Sequence, residues 1–377
     1  MKVIHIITAL NQGGAEESLF RLAKELNSSG IDQTIISLKE SESALKKKFI
    51  ENGIPVISLK IGGRYSLIGF YRLIKYLKKE SNSHTIIQSW MYHGDFFTSL
   101  ASLFVRKKIW IIWNIRQSLY PTKGMTGLIA KMNAYWSKLI PEKIVCCAYA
   151  ALKSHAKNGY YESKMQVIHN GIDTELYRPN KESRAQFRTL HNINEEAVLI
   201  GVIGRYHPIK GHKEFLEAIL KIDLKHYSAH ILLVGRDIQS ASLLKPLINH
   251  PKLKPYLTII PENREIPYTM SALDILCLPS HNEGFPNVVA EAMSCEVPCV
   301  ITDVGDAVKI VEDTGISCKS NAPELLLTAL LEMLNKSTSE RRALGEKARK
   351  RIIEEFSLKK TLHSYLEIYQ AVIKNKK

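Results

Sequence analysis

The chain has 377 residues, of which 45% are hydrophobic and 24% are charged. This composition excludes a disordered chain, which buries too little apolar surface to offset its conformational entropy. The 52 Lys and Arg residues exceed the 37 Asp and Glu residues, giving a formal net charge of +15. Such an excess favours phosphorylated ligands, an anionic membrane or nucleic acid. The sequence has no zinc-finger, homeodomain or RNP-type motif, so nucleic acid is a minor alternative.

The chain length predicts two or three domains. No apolar run approaches the roughly 18 residues that a membrane span needs. Met1–Leu10 has one Lys and a short apolar stretch without a small-residue cleavage site, so we predict a first strand rather than a signal peptide. The six cysteines form no Cys-x-x-Cys motif, which predicts reduced core thiols in a cytoplasmic protein and no structural zinc site.

Short apolar segments alternate with segments of helical periodicity in the first half of the chain. An early strand, Val3–Thr8, precedes Gly13-Gly14 and a predicted helix over Ala15–Leu26. A second helix is predicted over Leu67–Leu77. Further strands are predicted at Gln33–Leu38, Ile54–Leu59, Thr85–Gln88, Ile109–Asn114 and Lys143–Cys147. This alternation indicates a mostly parallel sheet that is covered on both faces.

A second α/β unit follows a change of character over His169–Asn192, and we place the domain boundary near residue 178. A strand over Ala197–Ile203 leads into a loop and a helix over Gly211–Lys221. Later strands are predicted at His230–Val234, Thr258–Ile260, Ile275–Leu278 and Pro298–Ile301. Residues 322–375 look helical throughout, so the chain is predicted to be two similar α/β units with a helical tail.

One loop in the second unit has the features of an anion site. Gly204-Arg205 comes directly after a strand, and Lys210-Gly211 comes directly before a helix. Such a loop exposes backbone N–H groups and a helix N-terminus, and the two cations can reach the same space. The loop therefore fits a diphosphate without a metal ion. The alternative is a solvated basic loop without a ligand.

A second motif runs from Pro279 to Glu291 and enters a helix. Glu283 lies in the entry loop and Glu291 in the helix, where eight residues span about 12 Å. That length is comparable to the distance from a sugar, across a diphosphate, to a ribose. Gly284 permits close backbone approach at the helix entry. The helix is apolar nearly all round, which weighs against Glu291 being an ordinary surface acid.

These motifs resemble those of the retaining glycosyltransferases of family 4, which have the GT-B architecture. The resemblance runs nearly end to end, and its motifs occur in the family's order and at its separations. The motifs are Gly13-Gly14-Ala15-Glu16, His169-Asn-Gly-Ile-Asp173, Gly204-Arg205, Lys210-Gly211, Glu283 with Glu291, and Thr302-Asp-Val-Gly305. The resemblance implies two Rossmann-like domains whose parallel sheets face each other across a cleft. Residues 1–178, with a returning helix at about 358–377, would bind the acceptor, and residues 179–357 would bind the donor.

The resemblance also implies roles for individual residues. Arg205 and Lys210 would neutralise the donor diphosphate, Glu283 would lie near the donor sugar, and Glu291 would bind the ribose. Other donor-binding residues would be Gly13, Gly14, Gly204, Arg236, Asn263, Gly284, Phe285, Pro286, Asn287 and Val288. The nucleotide would lie in the cleft, no metal or other cofactor is expected, and the leaving phosphate would deprotonate the acceptor.

The first domain departs from the family pattern at one position. Many relatives have a His after the strand that corresponds to Ile109–Asn114, whereas Arg116 stands there in this chain. Arginine stays protonated and cannot act as a general base, although it can bind an acceptor phosphate or the donor sugar. His93 is the other acceptor-site candidate, with a structural or capping role as the alternative.

Ser118–Ile140 is an amphipathic stretch that contains aromatic residues and lysines, a composition that suits a membrane interface. The helix containing Arg72, Lys75 and Lys78 adds positive charge to the same domain. In the alternative, both helices simply cover the sheet and their lysines are solvated. The basic balance suits a lipid-linked acceptor and equally a soluble phosphorylated one.

The sequence therefore predicts a cytoplasmic glycosyltransferase, peripheral at the inner face of the cell membrane, that acts in bacterial surface polysaccharide or glycan assembly. The partners would be a nucleotide sugar and a glycan or lipid-linked acceptor. UDP is the default nucleotide, and GDP stays open. The alternatives are another enzyme of the same architecture, such as a nucleotide-sugar epimerase or a phosphorylase, and an inactive sugar- or membrane-binding module.

Overall fold

The structure is a computed structural model that describes residues 1–11, 13–40, 42–62, 66–107, 109–261 and 265–374. The chain forms two compact units. The first contains Met1–Gly171 together with Leu358–Lys377, and the second contains Ile172–Ser357. No helix in the described ranges is long and apolar enough to cross a membrane.

The described part of the first unit contains a seven-stranded parallel sheet with the order β3-β2-β1-β4-β5-β6-β7. Its strands are β1 (Lys2–Ile7), β2 (Asp32–Ser37), β3 (Val56–Ser58), β4 (Thr85–Trp90), β5 (Trp110–Ile115), β6 (Lys143–Cys146) and β7 (Met165–Val167). Its helices are α1 (Gly14–Ser28), α2 (Ala44–Glu51), α3 (Ser66–Glu80), α4 (Met91–Ser102), α5 (Gly124–Trp136), α6 (Tyr149–Lys157) and, at the end of the chain, α15 (Leu358–Lys374).

The central strands of this sheet are buried on both faces. Every residue of β4 and β5 is buried, which explains why β5 is a nearly continuous apolar run rather than an alternating one, and β4 also buries the polar side chains of Gln88 and Ser89. On one side α1 packs against α2 and α15, and on the other α4 packs against α3 and α5. The expectation of a parallel sheet covered by helices is confirmed for this unit.

The last helix of the chain belongs to the first unit. Its two fully buried tyrosines reach the sheet: the Tyr365 hydroxyl donates to Asn114 Oδ1 at 2.7 Å, and the Tyr369 hydroxyl donates to Gln88 Oε1. These contacts fix α15 to the central strands β5 and β4. A helix in this part of the chain was expected to return to the first domain.

The described part of the second unit contains a six-stranded parallel sheet with the order β10-β9-β8-β11-β12-β13. Its strands are β8 (Val198–Ile203), β9 (Ala229–Val234), β10 (Leu257–Ile260), β11 (Ile275–Leu278), β12 (Cys299–Asp303) and β13 (Ile316–Lys319). Its helices are α7 (Lys181–Leu190), α8 (His212–Ile219), α9 (Lys245–Ile248), α10 (Ile266–Ala272), α11 (Asn287–Ser294), α12 (Ala307–Val311), α13 (Pro323–Asn335) and α14 (Thr338–Glu355). Helices α13, α14 and α15 form the predicted helical tail.

The second unit begins at Ile172, earlier than the predicted boundary near residue 178. Three side chains of this unit hold the intervening segment by its backbone. Ser294 Oγ donates to the Tyr177 carbonyl at 2.6 Å, Ser271 Oγ donates to the Arg178 carbonyl at 3.1 Å, and Arg349 donates to the Thr174 carbonyl at 3.2 Å. The segment looked like a linker because its own side chains are polar, whereas its attachment is made by distant residues.

An almost fully buried arginine on α7 ties the start of the second sheet together. Arg188 is 1% exposed and forms an ion pair with Asp274 at 2.7 Å. It also donates to the carbonyls of Ala272 and Ala197, at 3.0 and 2.9 Å. Asp274 Oδ2 in turn accepts from the backbone N–H of Leu199 at 2.7 Å. The pair therefore joins α7 to the first residues of β8 and β11.

We expect Arg188→Ala to lower the free energy of unfolding of the second unit by about 2–4 kcal/mol, because several buried carbonyls lose their donor and Asp274 keeps only Arg184 as a cationic partner. Urea unfolding followed by circular dichroism measures this. The control Arg342→Ala removes an exposed ion pair with Glu346 and should cost under about 1 kcal/mol. The four tryptophans all lie in the first unit, so their fluorescence reports that unit separately. Equal losses in the two variants would contradict this role of Arg188.

Candidate functional site

The predicted donor residues lie at the point where the strand order of the second sheet changes direction. Strands β8 and β11 are neighbours, with β9 and β10 on one side and β12 and β13 on the other. Ligands of open α/β sheets bind beyond the carboxyl ends of the strands at such a point. Gly204 and Arg205 directly follow β8, and the loop with Glu283 follows β11. The sheet topology therefore brings the two sequence motifs to one place.

The two loops approach each other through a glycine. A 3-10 helix, Pro208–Lys210, ends at Gly211, whose φ of 68° lies in the left-handed region. A Cβ atom at Gly211 would lie only 1.9 Å from the carbonyl oxygen of Pro279, at the end of β11. A side chain is excluded at this position by backbone conformation and by space. This contact places the start of α8 against the second motif.

An ion pair joins the predicted cation to the predicted carboxylate. Lys210 Nζ lies 2.7 Å from Glu283 Oε1, and Ser280 Oγ donates to the same oxygen at 2.7 Å. The Glu283 side chain is 12% exposed and that of Lys210 is 31% exposed, so the pair is accessible at one side. The backbone N–H of His281 donates to the Ile209 carbonyl at 2.8 Å and adds a further link between the loops.

The Glu283 loop is also held by the segment after β12. Thr302 Oγ1 donates to the Ser280 carbonyl at 2.6 Å, and the backbone N–H of Asp306 donates to the Gly284 carbonyl at 3.0 Å. Gly305 has a φ of 58°, and a Cβ there would lie 2.4 Å from the Gly284 carbonyl oxygen. The Thr302–Gly305 motif therefore supports the loop that carries Glu283.

Helix α11 carries the second predicted carboxylate. Glu291 is 7% exposed, and its neighbours Val289, Ala290, Ala292 and Met293 are fully buried. The helix is therefore surrounded by protein, as its apolar sequence indicates. At its start Phe285 and Pro286 are buried, whereas Gly284, Asn287 and Val288 are partly exposed. Glu291 belongs to the interior of the second unit and is not a surface acid.

Arg236, another predicted donor residue, lies on the loop after β9. It is exposed, and its backbone carbonyl accepts a hydrogen bond from the N–H of Tyr206 at 2.8 Å. Arg236 is thereby linked to the loop of Arg205, whose side chain is also exposed. Asn263 lies outside the described residues.

Sequence reasoning missed one residue of this region, His212, the first residue of α8. It is 2% exposed, and burial lowers the pKa of its imidazole to about 4, outweighing the opposite effect of the nearby Gly204 carbonyl. His212 is therefore neutral near pH 7, and the positive charge of the loop comes from Arg205 and Lys210. Its only sequence signal is its position directly after Gly211.

In the first unit, the predicted residues lie around the corresponding change of strand order, between β1 and β4. Gly13 and Gly14 stand at the start of α1, which follows β1. His93 lies in the first turn of α4, directly after β4, and burial, together with the charge of Lys39, lowers the pKa of its imidazole. The three residues thus occupy the carboxyl-end edge of the first sheet.

Arg116, which follows β5, is held by several groups of the first unit. Its guanidinium donates to Asn170 Oδ1 and to the Tyr365 hydroxyl at 3.4 Å, and it lies 5.1 Å from the ring centroid of Trp90. The side chain is partly exposed. The residue that replaces the family's usual His is therefore a fixed cation joined to α15, a connection that the sequence did not reveal.

The described ranges contain no group of three or more His, Cys, Asp and Glu side chains that could hold a metal ion. All six cysteines are free thiols, five of them buried. At the second unit's site Lys210 meets the largely buried carboxylate of Glu283, and Arg205 stands exposed on the same loop as Lys210.

Two doubly wound parallel sheets, with a basic loop and the loop of Glu283 at the switch point of the second, define the architecture of an α/β protein with two Rossmann-like units. Residues 12–176 match the family described as Glycosyltransferase Family 4, and residues 183–351 match the family described as Glycosyl transferases group 1. The chain therefore belongs to the GT-B glycosyltransferases, and the predicted family, fold and enzyme class are confirmed.

Individual proteins agree with this assignment. EpsF of Bacillus subtilis (strain 168), which is named as a glycosyltransferase, is 22% identical to this chain. The match covers 80% of this chain and 79% of EpsF. The O-antigen biosynthesis glycosyltransferase WclY of Escherichia coli is 23% identical over 78% of this chain and 81% of its own. The crystal structure of Anabaena Alr3699/HepE in complex with UDP has a TM-score of 0.87 at 18% identity, covering 98% of this chain and 100% of that one.

The pKa of His212 gives a testable consequence. Between about pH 6.5, the ordinary value, and about pH 4, the unfolded chain binds a proton at this position that the folded chain does not. The contribution of His212 to stability is therefore lost as the pH falls through this window. We expect His212→Phe to make the unfolding free energy less dependent on pH, as measured by urea titrations at pH 7 and near pH 4.5. An unchanged pH dependence would contradict the neutral, buried state of His212.

Proposed function

We propose that the protein transfers a sugar, with retention, from a nucleotide sugar to a glycan or lipid-linked acceptor in bacterial surface polysaccharide assembly. The observation that carries the proposal is the pairing of Lys210 with Glu283 at the switch point of the second sheet. UDP is the proposed nucleotide, supported by a neighbour of the same fold whose structures contain UDP and UDP-glucose. We further propose that the enzyme works as a peripheral protein at the inner face of the membrane.

The cations account for stabilisation of the leaving group. When the bond between the sugar C1 and the diphosphate oxygen breaks, negative charge develops on the diphosphate. Arg205 and Lys210, with the N–H groups at the start of α8, neutralise that charge where it forms. The new bond forms between C1 and the acceptor oxygen on the same face, and the acceptor proton passes to the departing diphosphate. No protein base is required for this step.

Glu283 has a separate role in this proposal. An ammonium group has three donors, so Lys210 can bind a phosphate oxygen while it keeps its contact with Glu283. Ser280 and the backbone contacts around Gly284 hold the carboxylate independently of Lys210. Glu283 is thus a preorganised negative charge near the sugar, where positive charge develops on C1 in the transition state.

Glu291 lies eight residues after Glu283, in the second turn of the buried helix α11. The helix begins only at Asn287, so the expected rise of about 12 Å over eight helical residues does not apply here. Ribose hydroxyls are the proposed ligands of the Glu291 carboxylate, as the resemblance to family 4 implies. In the first unit, His93 and Arg116 are the proposed acceptor contacts. Arg116 would act as a fixed cation rather than as a base, since Asn170 and Tyr365 hold it. No metal ion or other cofactor is part of the proposed reaction.

The decisive experiment incubates the full chain with a panel of UDP- and GDP-sugars, with and without lipid acceptors, and measures release of the nucleotide. We expect turnover that survives EDTA. We also expect Lys210→Ala and Arg205→Ala to lower it roughly 30- to 1000-fold, equivalent to about 2–4 kcal/mol, because each removes a charge-assisted contact to the leaving group.

The control is Lys213→Ala, which removes the exposed lysine at the second position of α8, where it pairs with Glu217 at 3.6 Å. It should leave turnover within about twofold of the unchanged protein. Near-normal kinetics in both loop variants would refute the assignment of the site. A strict Mg²⁺ or Mn²⁺ requirement would refute the metal-free mechanism, and sugar binding without turnover would indicate an inactive module.

The two glutamates should differ in their kinetic effects. Glu283→Gln keeps the hydrogen bond from Ser280 but removes negative charge near the reacting carbon, so we expect a fall mainly in kcat. Glu291→Gln weakens a contact to a part of the donor that does not react, so we expect a rise mainly in the KM for the donor. Steady-state kinetics at varied donor concentration distinguishes these outcomes. The same pattern in both variants would show that the roles are wrongly assigned.

A further inference from the structure

The charge of the chain is concentrated in one stretch of the first unit. Residues 61–140 contain 12 Lys and Arg residues but only two acidic residues, Glu80 and Asp95. Asp95 is fully buried, and burial raises its pKa well above the ordinary value. Glu80 is ion-paired with Lys2 at 2.7 Å. Neither acid therefore offsets the exposed positive charge of this stretch.

The same stretch exposes large apolar side chains on three neighbouring segments. The most exposed are Leu67 on α3, at 83%, and Tyr135 on α5, at 72%. The others are Ile68, Tyr71, Leu103, Phe104, Leu119, Met125, Leu128, Met132 and Leu139. The inward sides of α3 and α5 already bury apolar residues, including Leu73 and Ile129. These helices are therefore apolar on the covered side and also partly apolar on the outer side.

A chain of aromatic contacts shows that these segments are adjacent. The Phe70 ring of α3 lies 6.1 Å from Phe97 of α4 and 6.2 Å from Phe104, just beyond the end of α4. On the other flank of α4, the Phe96 ring stacks on Trp136 of α5 at 5.4 Å. Helices α3, α4 and α5 thus lie side by side. We call their shared outer surface the α3–α5 face.

We propose that the α3–α5 face docks on an anionic lipid bilayer, with its apolar side chains inserted at the level of the headgroups and its lysines and arginines bound to anionic lipids. This inference gives the proposed peripheral location a specific surface, and in that respect it rests on the proposed function. Interfacial helices combine these two features, apolar side chains on one side and flanking basic residues.

Charge and chemistry favour a bilayer over the other occupants. A second copy of the chain would bring two surfaces of the same positive sign together, which opposes association. Nucleic acid would satisfy the basic residues, but its phosphate backbone offers nothing to exposed groups such as Leu67, Leu128 and Tyr135. A bilayer containing anionic lipid offers an apolar layer to the exposed apolar side chains and negatively charged headgroups to the lysines and arginines.

The test is co-sedimentation of the full chain with vesicles of phosphatidylcholine, with and without phosphatidylglycerol, in the absence of donor and acceptor. We expect at least roughly tenfold tighter binding to the anionic vesicles, and loss of that gain at high salt. The double variants Leu128→Glu with Tyr135→Glu, and Lys131→Glu with Lys138→Glu, should each weaken binding roughly tenfold or more.

Matched controls come from exposed residues of the second unit. They are Leu190→Glu with Leu243→Glu for the apolar pair, and Lys347→Glu with Lys350→Glu for the basic pair. The controls should bind vesicles like the unchanged protein, and circular dichroism verifies that every variant is folded. Equal binding to both kinds of vesicle, or equal losses in face and control variants, would overturn the proposal.

Two further outcomes are informative. Competition by duplex DNA, with no effect of the Leu128 and Tyr135 changes, would identify a nucleic-acid surface and would also overturn the proposal. The α3–α5 variants should release nucleotide normally with a water-soluble acceptor, because they lie outside the proposed site. Failure of vesicle binding is therefore distinguishable from failure of the proposed transferase activity, which is measured without vesicles.

Discussion

The close approach of Gly211 to the Pro279 carbonyl is the constraint on which the second unit's site depends. It fixes the start of α8 against the end of β11 and so brings Lys210 within 2.7 Å of Glu283. A side chain at residue 211 would clash with the Pro279 carbonyl and force the two loops to shift relative to each other. A backbone contact between two loops thus sets the separation of the charges that the proposed chemistry uses.

This constraint follows from the order of the strands. Because β8 and β11 are neighbours and their connections leave in opposite directions, a crevice is expected beyond their carboxyl ends. The first sheet repeats the arrangement at β1 and β4, which explains why Gly13 and His93 reach the same edge although 80 residues separate them in the chain. The polar residues of each unit collect where the fold leaves backbone N–H groups accessible.

The sequence predicted motifs whose residues follow one another directly, and it missed contacts between residues that are far apart in the chain. The loop from Gly204 to Gly211 was recognisable because strand, glycine, cation and helix follow one another directly. The ion pair of Lys210 with Glu283 could not be derived, since it depends on the pairing of β8 with β11. Strands β7 and β13 escaped prediction because polar residues, among them Gln166 and Ser317, interrupt their short apolar stretches. Apart from its position after Gly211, His212 could not be recognised in the sequence, because the burial that lowers its pKa is a tertiary property.

Arg116, at the position where the family resemblance leads one to expect a His, shows that neighbouring residues in the sequence do not reveal what holds a side chain in the first unit. The sequence indicates a free cation after β5, available to an acceptor. In the fold, Tyr365 donates to Asn114 at the end of β5 and accepts from Arg116, while Asn170 accepts from the same guanidinium. The last helix of the chain therefore sets the position of a residue 249 positions earlier. Because α15 carries this contact, the proposed acceptor region depends on α15 as much as on the loop that supplies Arg116.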